Sequence, residues 1–325
     1  MINPPPINPP HREYLIGGLF IIVLVILGGV YIYNRLPPFS DLNGKVFLTL
    51  SPKDKNQTRL YTYDLKTKKL ERIKPNILAM TISISPDGKY SAFIMFPRKV
   101  DGTLSTTTIQ LHVRDRKSGE IEQITKSKTS LKRLPDWSPD GINIAFMAQD
   151  SSKKKFFVPN DWDVYITDLS GNERFVTEGG YPKWSPDGKK LLLFKNDGLY
   201  LYNLASSGQG ALKKLWNGKV YLNMKLAINQ SRDTIAWASI DTNETLIFKV
   251  DFENENVQGL KRINNRGFWS VFSPDNKYLI VQEVDWGATL SRPRLTAYTL
   301  AGNEKKEILN LDNYNQGKMF LTDWR

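Results

Sequence analysis

The chain of 325 residues contains no cysteine and only two histidines, His11 and His112. Without cysteine it can form no disulfide, thiol nucleophile or thiolate metal site. Two histidines leave almost nothing from which to build a Ser-His-Asp triad or a multi-histidine zinc site. His112 falls in the middle of an alternating apolar segment, so we expect it to pack rather than to react. The sequence therefore predicts a non-catalytic protein with no metal and no cofactor.

Other signatures of catalysis and ligand binding are also missing. The sequence has no G-x-S-x-G nucleophile elbow, no phosphate-cradling glycine loop and no EF-hand spacing. No helical periodicity of any length follows Lys45. The part of the chain beyond residue 45 is thus expected to consist of β-strands and turns.

Positive charge is in excess, with 45 Lys and Arg against 33 Asp and Glu and a net charge of +12. The charges of residues 1–43 cancel, so the whole excess lies on the rest of the chain. A basic domain favours an anionic partner, either lipid head groups, an acidic or phosphorylated cell-wall polymer, or nucleic acid. The alternative is a surface of mixed sign that leans positive for solubility.

The longest apolar run extends from Tyr14 to Tyr33 without a charge. As a helix it would be about 30 Å long, the thickness of the hydrocarbon core of a bilayer. Tyrosines stand at both ends, where amphipathic rings prefer the membrane interface. The run is longer than a secretory signal core, and no Ala-x-Ala cleavage site follows it. We therefore predict an uncleaved transmembrane signal anchor over 14–34.

The segments on either side of this run are short. Residues 1–13 hold five prolines and predict a disordered tail, and 35–41 contain Pro37-Pro38 and predict a stiff spacer. A short tail before a large domain favours the tail inside and the domain outside the membrane. We expect a single-pass protein whose domain, 42–325, is periplasmic or extracellular, where nucleic acid is an improbable partner.

A repeated motif organises that domain. Trp184-Ser185-Pro186-Asp187-Gly188 recurs letter for letter at residues 137–141. Complete or partial copies of its Ser-Pro-Asp-Gly core begin at residues 85, 138, 185, 229 and 273, the copy at 229 being Asn-Gln-Ser-Arg. Each period of about 45 residues contains four short alternating segments, which is typical of a β-propeller blade. The aspartates Asp87, Asp140, Asp187 and Asp275 are predicted to be structural turn residues.

The two ends of the domain complete one more blade. Residues 320–324 match the inner strand that precedes each turn, and residues 45–73 match the three strands that follow it. Pairing the two ends would close the ring and leave no free sheet edge. The sequence thus predicts an all-β fold, a six-bladed β-propeller of four-stranded antiparallel blades, after one transmembrane helix.

The repeat of Trp-Ser-Pro-Asp-Gly, an apolar strand and Tyr-x-x-Asp-Leu resembles that of the TolB-like six-bladed propellers. The resemblance covers about residues 42–325 and implies their fold. Relatives of this fold serve as protein-binding platforms, as gating domains of peptidases and as sugar lyases, so it implies no single function. We expect no counterpart of the domain that precedes the propeller in TolB, and a membrane anchor in its place.

Insertions point to a binding face. The Ser-Pro-Asp-Gly turns lie on one face of such a propeller, and the longer, irregular loops lie on the other, so we expect binding there rather than at the turns. These loops combine cations with aromatic rings, which suits acidic glycans, phosphates or acidic protein segments. The candidate partner-binding residues are Arg98, Lys99, Lys126, Lys128, Lys132, Arg133, Lys153, Lys154, Lys155, Phe156, Phe157, Trp162, Trp286, Arg292 and Arg294. Solvated lysine-rich loops without a partner are the alternative.

Together these observations predict a monomeric, membrane-anchored scaffold of the cell envelope. Residues 14–34 would contact the lipid bilayer, and the propeller would bind an envelope protein or an anionic cell-surface polymer. The alternative is an envelope enzyme, a lyase or hydrolase acting on an acidic glycan. Lyases of this fold use histidines to hold a metal, and this sequence offers only two.

Overall fold

Strands are the regular elements of the residues that the computed structural model of this protein describes. The structure describes residues 20–26, 29–35, 38–50, 59–73, 81–95, 109–126, 130–150, 161–205, 211–218, 226–239, 242–265, 267–283, 294–310 and 320–324. The chain divides into two compact units, Met1–Leu42 and Asn43–Arg325.

The described part of the first unit is a pair of antiparallel strands, β1 (Phe20–Ile26) and β2 (Gly29–Arg35). The sequence predicts one transmembrane helix over 14–34, and that helix is unconfirmed because the described residues of this range are strands. Five of the seven residues of β1 are Ile or Val, whose branched side chains favour strands. The same apolar composition therefore fits either element. No helix among the residues that the structure describes is long and apolar enough to cross a membrane.

The second unit contains six four-stranded antiparallel sheets, which confirms the predicted number of blades. Its strands are β3 (Lys45–Leu50), β4 (Arg59–Asp64), β5 (Leu70–Arg72), β6 (Ile82–Ile84), β7 (Tyr90–Met95), β8 (Gln110–Asp115), β9 (Ile121–Gln123), β10 (Ser130–Trp137), β11 (Ile144–Asp150), β12 (Asp163–Thr167), β13 (Arg174–Glu178), β14 (Gly180–Trp184), β15 (Lys190–Lys195), β16 (Gly198–Asn203), β17 (Leu212–Asn217), β18 (Ala227–Ile228), β19 (Thr234–Ser239), β20 (Glu244–Asp251), β21 (Asn256–Asn264), β22 (Gly267–Phe272), β23 (Tyr278–Glu283), β24 (Arg294–Thr299), β25 (Lys305–Asn310) and β26 (Phe320–Trp324).

Each blade runs from an inner to an outer strand. Blade 1 has the order β26-β3-β4-β5, blade 2 is β6 to β9, blade 3 is β10 to β13, blade 4 is β14 to β17, blade 5 is β18 to β21 and blade 6 is β22 to β25. In blade 1 the C-terminal strand pairs with the first strand of the unit, with Leu321 opposite Leu48 and Trp324 opposite Val46. The predicted closure of the ring is therefore confirmed.

The core lies between blades. The second strand of a blade is buried on both faces because it packs against two neighbouring sheets, as in the run Leu191-Leu192-Leu193-Phe194 of β15. Separate apolar clusters fill the contacts between successive blades from 1 to 6. The outer strands are largely exposed, which explains the charged residues of β9, β17 and β21.

Candidate functional site

The antiparallel order fixes which connections share a face. The turns from first to second strand and from third to fourth strand emerge at one end of each sheet, which we call the turn face. The loops from second to third strand and the links between blades emerge at the other end, the loop face. Most residues outside the described ranges belong to loop-face connections, whereas the turn face is described almost completely.

Local hydrogen bonds account for the form of the repeated turn. In the copy at 185–188 the Ser185 hydroxyl donates to Asp187 Oδ1 at 2.6 Å, and the amide of Lys190 donates to Ser185 Oγ at 2.9 Å. The amide of Gly188 donates to the Ser185 carbonyl at 3.1 Å, with Gly188 at φ 70°. The bond from serine to aspartate recurs in the copies that contain Asp87, Asp140 and Asp275, at 2.5–2.6 Å. These aspartates are held within their own turns.

The turn face has a central cavity of about 320 Å³, which we call the funnel. Its walls are the ends of the inner strands of blades 2 to 6 and the turns that follow them. Four turn prolines form part of its rim, namely Pro86, Pro139, Pro186 and Pro274. Because the proline ring fixes φ, the rim is preorganised.

Three charged side chains from three blades meet at the funnel wall. The Lys183 ammonium donates to Asp136 Oδ1 at 2.8 Å, and the Arg232 guanidinium donates to Asp136 Oδ2, also at 2.8 Å. The side chain of Asp136 is 5% exposed, that of Lys183 11% and that of Arg232 17%. These are the charged residues among the described residues that line the funnel, so its lining carries one positive charge in excess.

The ionisation of Asp136 follows from this arrangement. Burial by itself raises the pKa of the carboxyl group, because a low-dielectric site disfavours the charged form. The cations of Arg232 and Lys183 outweigh burial and lower the pKa from 3.8 to about 2. Asp136 is therefore a carboxylate at neutral pH and a weak base for proton transfer.

The arginine of this cluster belongs to the degenerate copy of the turn motif. Arg232 stands where the complete motif has glycine, and it adopts the same left-handed backbone, at φ 60°. From there Nη2 donates to the Trp137 carbonyl at 2.8 Å, and Nη1 also lies 3.3 Å from the Trp184 carbonyl. Sequence reasoning treated this copy as decayed and missed the site. Two features of the sequence indicate this site. Arg232 replaces the glycine of the turn motif, and Asp136 and Lys183 each directly precede a motif tryptophan.

Of the residues predicted to bind a partner on the loop face, the structure describes five. Lys126 is exposed at the end of blade 2. Lys132 is 1% exposed, and its ammonium donates to Glu173 at 2.6 Å. The guanidinium of Arg133 lies 5.3 Å from the ring centroid of Trp162, which is 1% exposed. In this structure Lys132 and Trp162 contribute to packing within blade 3.

The fifth described residue, Arg294, begins β24 and donates from Nε to Glu283 at 3.2 Å. The carboxylate of Glu283 also accepts hydrogen bonds from the hydroxyls of Thr296 and Tyr298. Burial raises the pKa of Tyr298, and the bond to Glu283 raises it further. The remaining candidates lie outside the described residues, namely Arg98, Lys99, Lys128, Lys153, Lys154, Lys155, Phe156, Phe157, Trp286 and Arg292.

No set of metal-ligating side chains occurs in the described ranges, where no three His, Asp or Glu residues form a group that could hold an ion. His112 is 4% exposed and stacks on Phe93, with ring centroids 5.9 Å apart. Burial lowers the pKa of its imidazole, although the Gln110 carbonyl opposes this. His112 is thus a neutral packing residue at pH 7, and His11 lies outside the described residues.

The ring of six four-stranded blades defines the class of this protein, a six-bladed β-propeller. Its fold is that of the TolB-like propellers. TolB from Acinetobacter baumannii superposes with a TM-score of 0.61 at 18% identity, over 86% of this chain and 66% of that one. An oligogalacturonate lyase from Vibrio parahaemolyticus has a TM-score of 0.53 at 10% identity, over 90% and 85% of the two chains. A periplasmic gluconolactonase from Pseudomonas aeruginosa has a TM-score of 0.51 at 14% identity, over 86% of this chain and 98% of that one.

Likeness at the level of sequence is confined to a short segment. Dipeptidyl-peptidase 5 from Porphyromonas gingivalis is 39% identical over 61 residues, which make up 17% of this chain and 9% of that protein. No family model matches the chain. The comparisons therefore establish the fold, which TolB shares with enzymes of two kinds, and leave the function to be argued from the site.

Proposed function

We propose that this protein is a non-catalytic binding scaffold exposed outside the cytoplasm, and that the funnel receives an acidic group of an envelope partner. The observation that carries the proposal is the cluster at the funnel wall, where two cations share one carboxylate. Its excess of one positive charge lies in a largely desolvated site, where charge attracts an anion more strongly than in water. A partner carboxylate or phosphate would bind the remaining donors of Lys183 and Arg232.

The shape of the funnel supports a binding role. A volume of 320 Å³ is at the lower end of ligand pockets and suits one or two side chains of a protein partner. The proline rim loses little conformational freedom on binding, which favours affinity. The charged groups at the funnel wall do not form a pair suited to general acid and base catalysis, because Asp136 has a pKa of about 2.

The loop face is a second proposed contact surface, on which Lys126 is an exposed cation among the described residues. Lysines 153–155 and Lys128 would extend this surface. An anionic cell-surface polymer is the partner that such a row of cations suits best, since it presents repeated charges. The predicted membrane anchor over 14–34 would retain the protein at the envelope.

The funnel is tested with Arg232→Gly in the full-length, detergent-solubilised protein. Glycine restores the residue of the complete motif at a position with φ 60°, so the turn keeps its conformation while the guanidinium is lost. We expect binding of an envelope protein extract, measured by quantitative pull-down, to fall at least about tenfold. Lys305→Gln, a change at an exposed residue of the outer strand of blade 6, is the control and should bind as the wild type does.

Two further outcomes discriminate the alternatives. If Arg232→Gly binds normally and Lys→Glu changes at 153–155 abolish binding, the loop face and not the funnel is the site. The enzyme alternative predicts that the wild type releases unsaturated or reducing products from polygalacturonate. Such turnover, lost in Arg232→Gly, would contradict the scaffold proposal.

A further inference from the structure

A second cavity lies on the turn face, between blades 1 and 2, and is separate from the funnel. It has a volume of about 510 Å³, and we call it the basic groove. Its floor is the edge of the apolar cluster between these blades, where the partly buried Ile73 accompanies four buried residues, Phe47, Leu60, Ile82 and Phe93. Thr62 and Ser91 add hydroxyl groups to the lining. The floor is therefore mainly apolar, with a few hydrogen-bonding groups.

Cations surround this floor. The charged residues that line the groove in the described structure are Lys45, Lys89, Arg114, Arg116 and Lys117, and no acidic residue is among them. The Arg116 guanidinium donates to the Gly88 carbonyl at 2.6 Å, which fixes it between the two turns of blade 2. Lys89 lies beside the ring of Tyr90, with Nζ 4.8 Å from the centroid.

Three acids in the turns beside the groove, Asp64, Asp87 and Asp115, accept hydrogen bonds within their own turns. Asp64 accepts from the amides of Lys66 and Thr67, at 3.0 and 2.8 Å. Asp115 accepts from the amides of Lys117 and Ser118, at 2.8 and 2.9 Å. Backbone hydrogen bonds are the largest cause that lowers the pKa of each carboxyl.

Asp87 is held in the same way. The Ser85 hydroxyl donates to its carboxylate at 2.6 Å, and the Lys89 amide donates at 3.0 Å. The three acids reduce the net charge around the groove, but their oxygens are directed to the backbone of the turns. The cations are what the groove presents to a ligand.

The corresponding groove between blades 3 and 4 gives an internal comparison. It also lies on the turn face and is lined by Asp168, Glu173 and Arg174, two acids and one cation. Both grooves are lined by turns of two neighbouring blades, so the repeat itself does not require a purely basic lining. The charge of the groove between blades 1 and 2 is a property of its own residues.

We propose that the basic groove binds an anionic amphiphile, a molecule with one apolar chain and one phosphate or carboxylate head. The apolar chain would lie against the partly buried Ile73 and the exposed edges of Phe47 and Ile82, and the head would lie among the cations of the rim. Arg114 and Arg116 provide forked donors that suit the oxygens of a phosphate or carboxylate. A purely polar anion would gain nothing from the apolar part of the floor, and a neutral apolar molecule would gain nothing from the positive charge of the rim.

The proposal is tested by calorimetry with octyl phosphate, inorganic phosphate and octanol, which supply head and chain, head alone and chain alone. The full-length protein is held in nanodiscs of phosphatidylcholine, so that uptake of the probe by lipid is equal in all variants. We expect octyl phosphate to bind at least about tenfold more tightly than either fragment, and binding to weaken as salt is raised. Lys89→Gln with Arg116→Gln should reduce its affinity at least about tenfold.

The matched control is Lys189→Gln with Arg174→Gln. Lys189 follows Gly188 in its turn as Lys89 follows Gly88, and Arg174 lines the groove between blades 3 and 4. This control removes the same charge from the same face and should bind octyl phosphate as the wild type does. Thermal unfolding of each variant confirms that it is folded.

Three results would overturn the proposal. They are equal affinity of octyl phosphate for both double variants, equal affinity of the wild type for octyl phosphate and octanol, and tight binding of a hexaglutamate peptide with none of octyl phosphate. The last result would identify an acidic peptide as the ligand. Because the funnel variant Arg232→Gly leaves the basic groove unchanged, failure of the funnel proposal would not affect these measurements.

Discussion

Arg232 of blade 5 donates to the carboxylate of Asp136 in blade 3, at 2.8 Å, although 96 residues separate them in the chain. The same guanidinium donates from Nη1 to the Trp184 carbonyl of blade 4, at 3.3 Å. Blades of a propeller otherwise contact mainly their neighbours, so stability is close to a sum of neighbouring terms. This side chain joins three successive blades and couples their stability directly.

Asp136→Asn should destabilise the protein by about 3–5 kcal/mol at pH 7, because two buried cations lose their counter-charge. Chemical denaturation with urea measures the loss. Asp197→Asn is the control, since its side chain is 60% exposed and its ion pair with Lys214 is screened by water. We expect Asp197→Asn to lower the free energy of unfolding by less than about 1 kcal/mol.

The pH dependence of this effect has a definite sign. The pKa of Asp136 is about 2 in the folded protein and 3.8 ordinarily, so its contribution is present above about pH 4 and is lost as pH falls toward 2. The stability difference between the wild type and Asp136→Asn should therefore shrink between pH 4 and pH 2. An unchanged difference over that range would show that Asp136 does not titrate in this way.

The tryptophans of the motif should contribute through hydrogen bonds between blades as well as through packing. Trp184 Nε1 donates to the Asp136 carbonyl at 3.0 Å, and Trp137 Nε1 donates to the Ser83 carbonyl at 3.1 Å. Trp184→Phe and Trp137→Phe should each lower the free energy of unfolding by about 1–3 kcal/mol, the lost bond and lost volume together. Phe272 occupies the corresponding position of blade 6, so Phe272→Leu is a control that removes volume without a donor.

Two glycines with positive φ should differ sharply in their tolerance of alanine. At Gly188, with φ 70°, an added Cβ would meet only the Pro139 ring at 3.7 Å, so the cost is backbone strain of about 1 kcal/mol. At Gly198, with φ 156°, an added Cβ would overlap the Trp216 carbonyl of β17, so the paired strands β16 and β17 would have to separate. Thermal unfolding should show a markedly larger loss for Gly198→Ala. Equal losses would contradict the tight approach of the two strands.

The sequence allowed the blades, their number and the closing strand to be predicted because each rests on local signals that recur. A Ser-Pro-Asp-Gly turn is encoded by residues five apart at most, through proline geometry and side-chain caps. The funnel cluster was missed because Asp136, Lys183 and Arg232 meet only after three blades have stacked, and its local sign was a single arginine at a glycine position of the turn motif. Lys132 was predicted to be a loop residue. It belongs to β10, which begins at Ser130, and its side chain is buried.

The burial of Lys132 leads to the last prediction. Glu173→Gln should destabilise the protein by about 3–5 kcal/mol at pH 7, because it leaves a buried ammonium group without its carboxylate. Burial already lowers the pKa of Lys132, against the raising effect of Glu173, so the folded state disfavours its proton. Removing Glu173 should lower that pKa further, and the loss of stability should decrease as pH rises from 7 toward 10, where the amine becomes neutral.

A double-mutant cycle separates this pairing from a role of Lys132 in binding. The double variant Lys132→Met, Glu173→Gln removes the buried charge and should recover most of the stability lost in Glu173→Gln. The exposed pair of Lys214 and Asp197, changed to Met and Asn, is the matched control, with a coupling energy below about 1 kcal/mol. If the double variant is as unstable as Glu173→Gln, loss of the ion pair does not explain the lower stability of Glu173→Gln. If it is stable but loses partner binding, Lys132 acts in recognition despite its burial, and the loop face must rearrange when it binds.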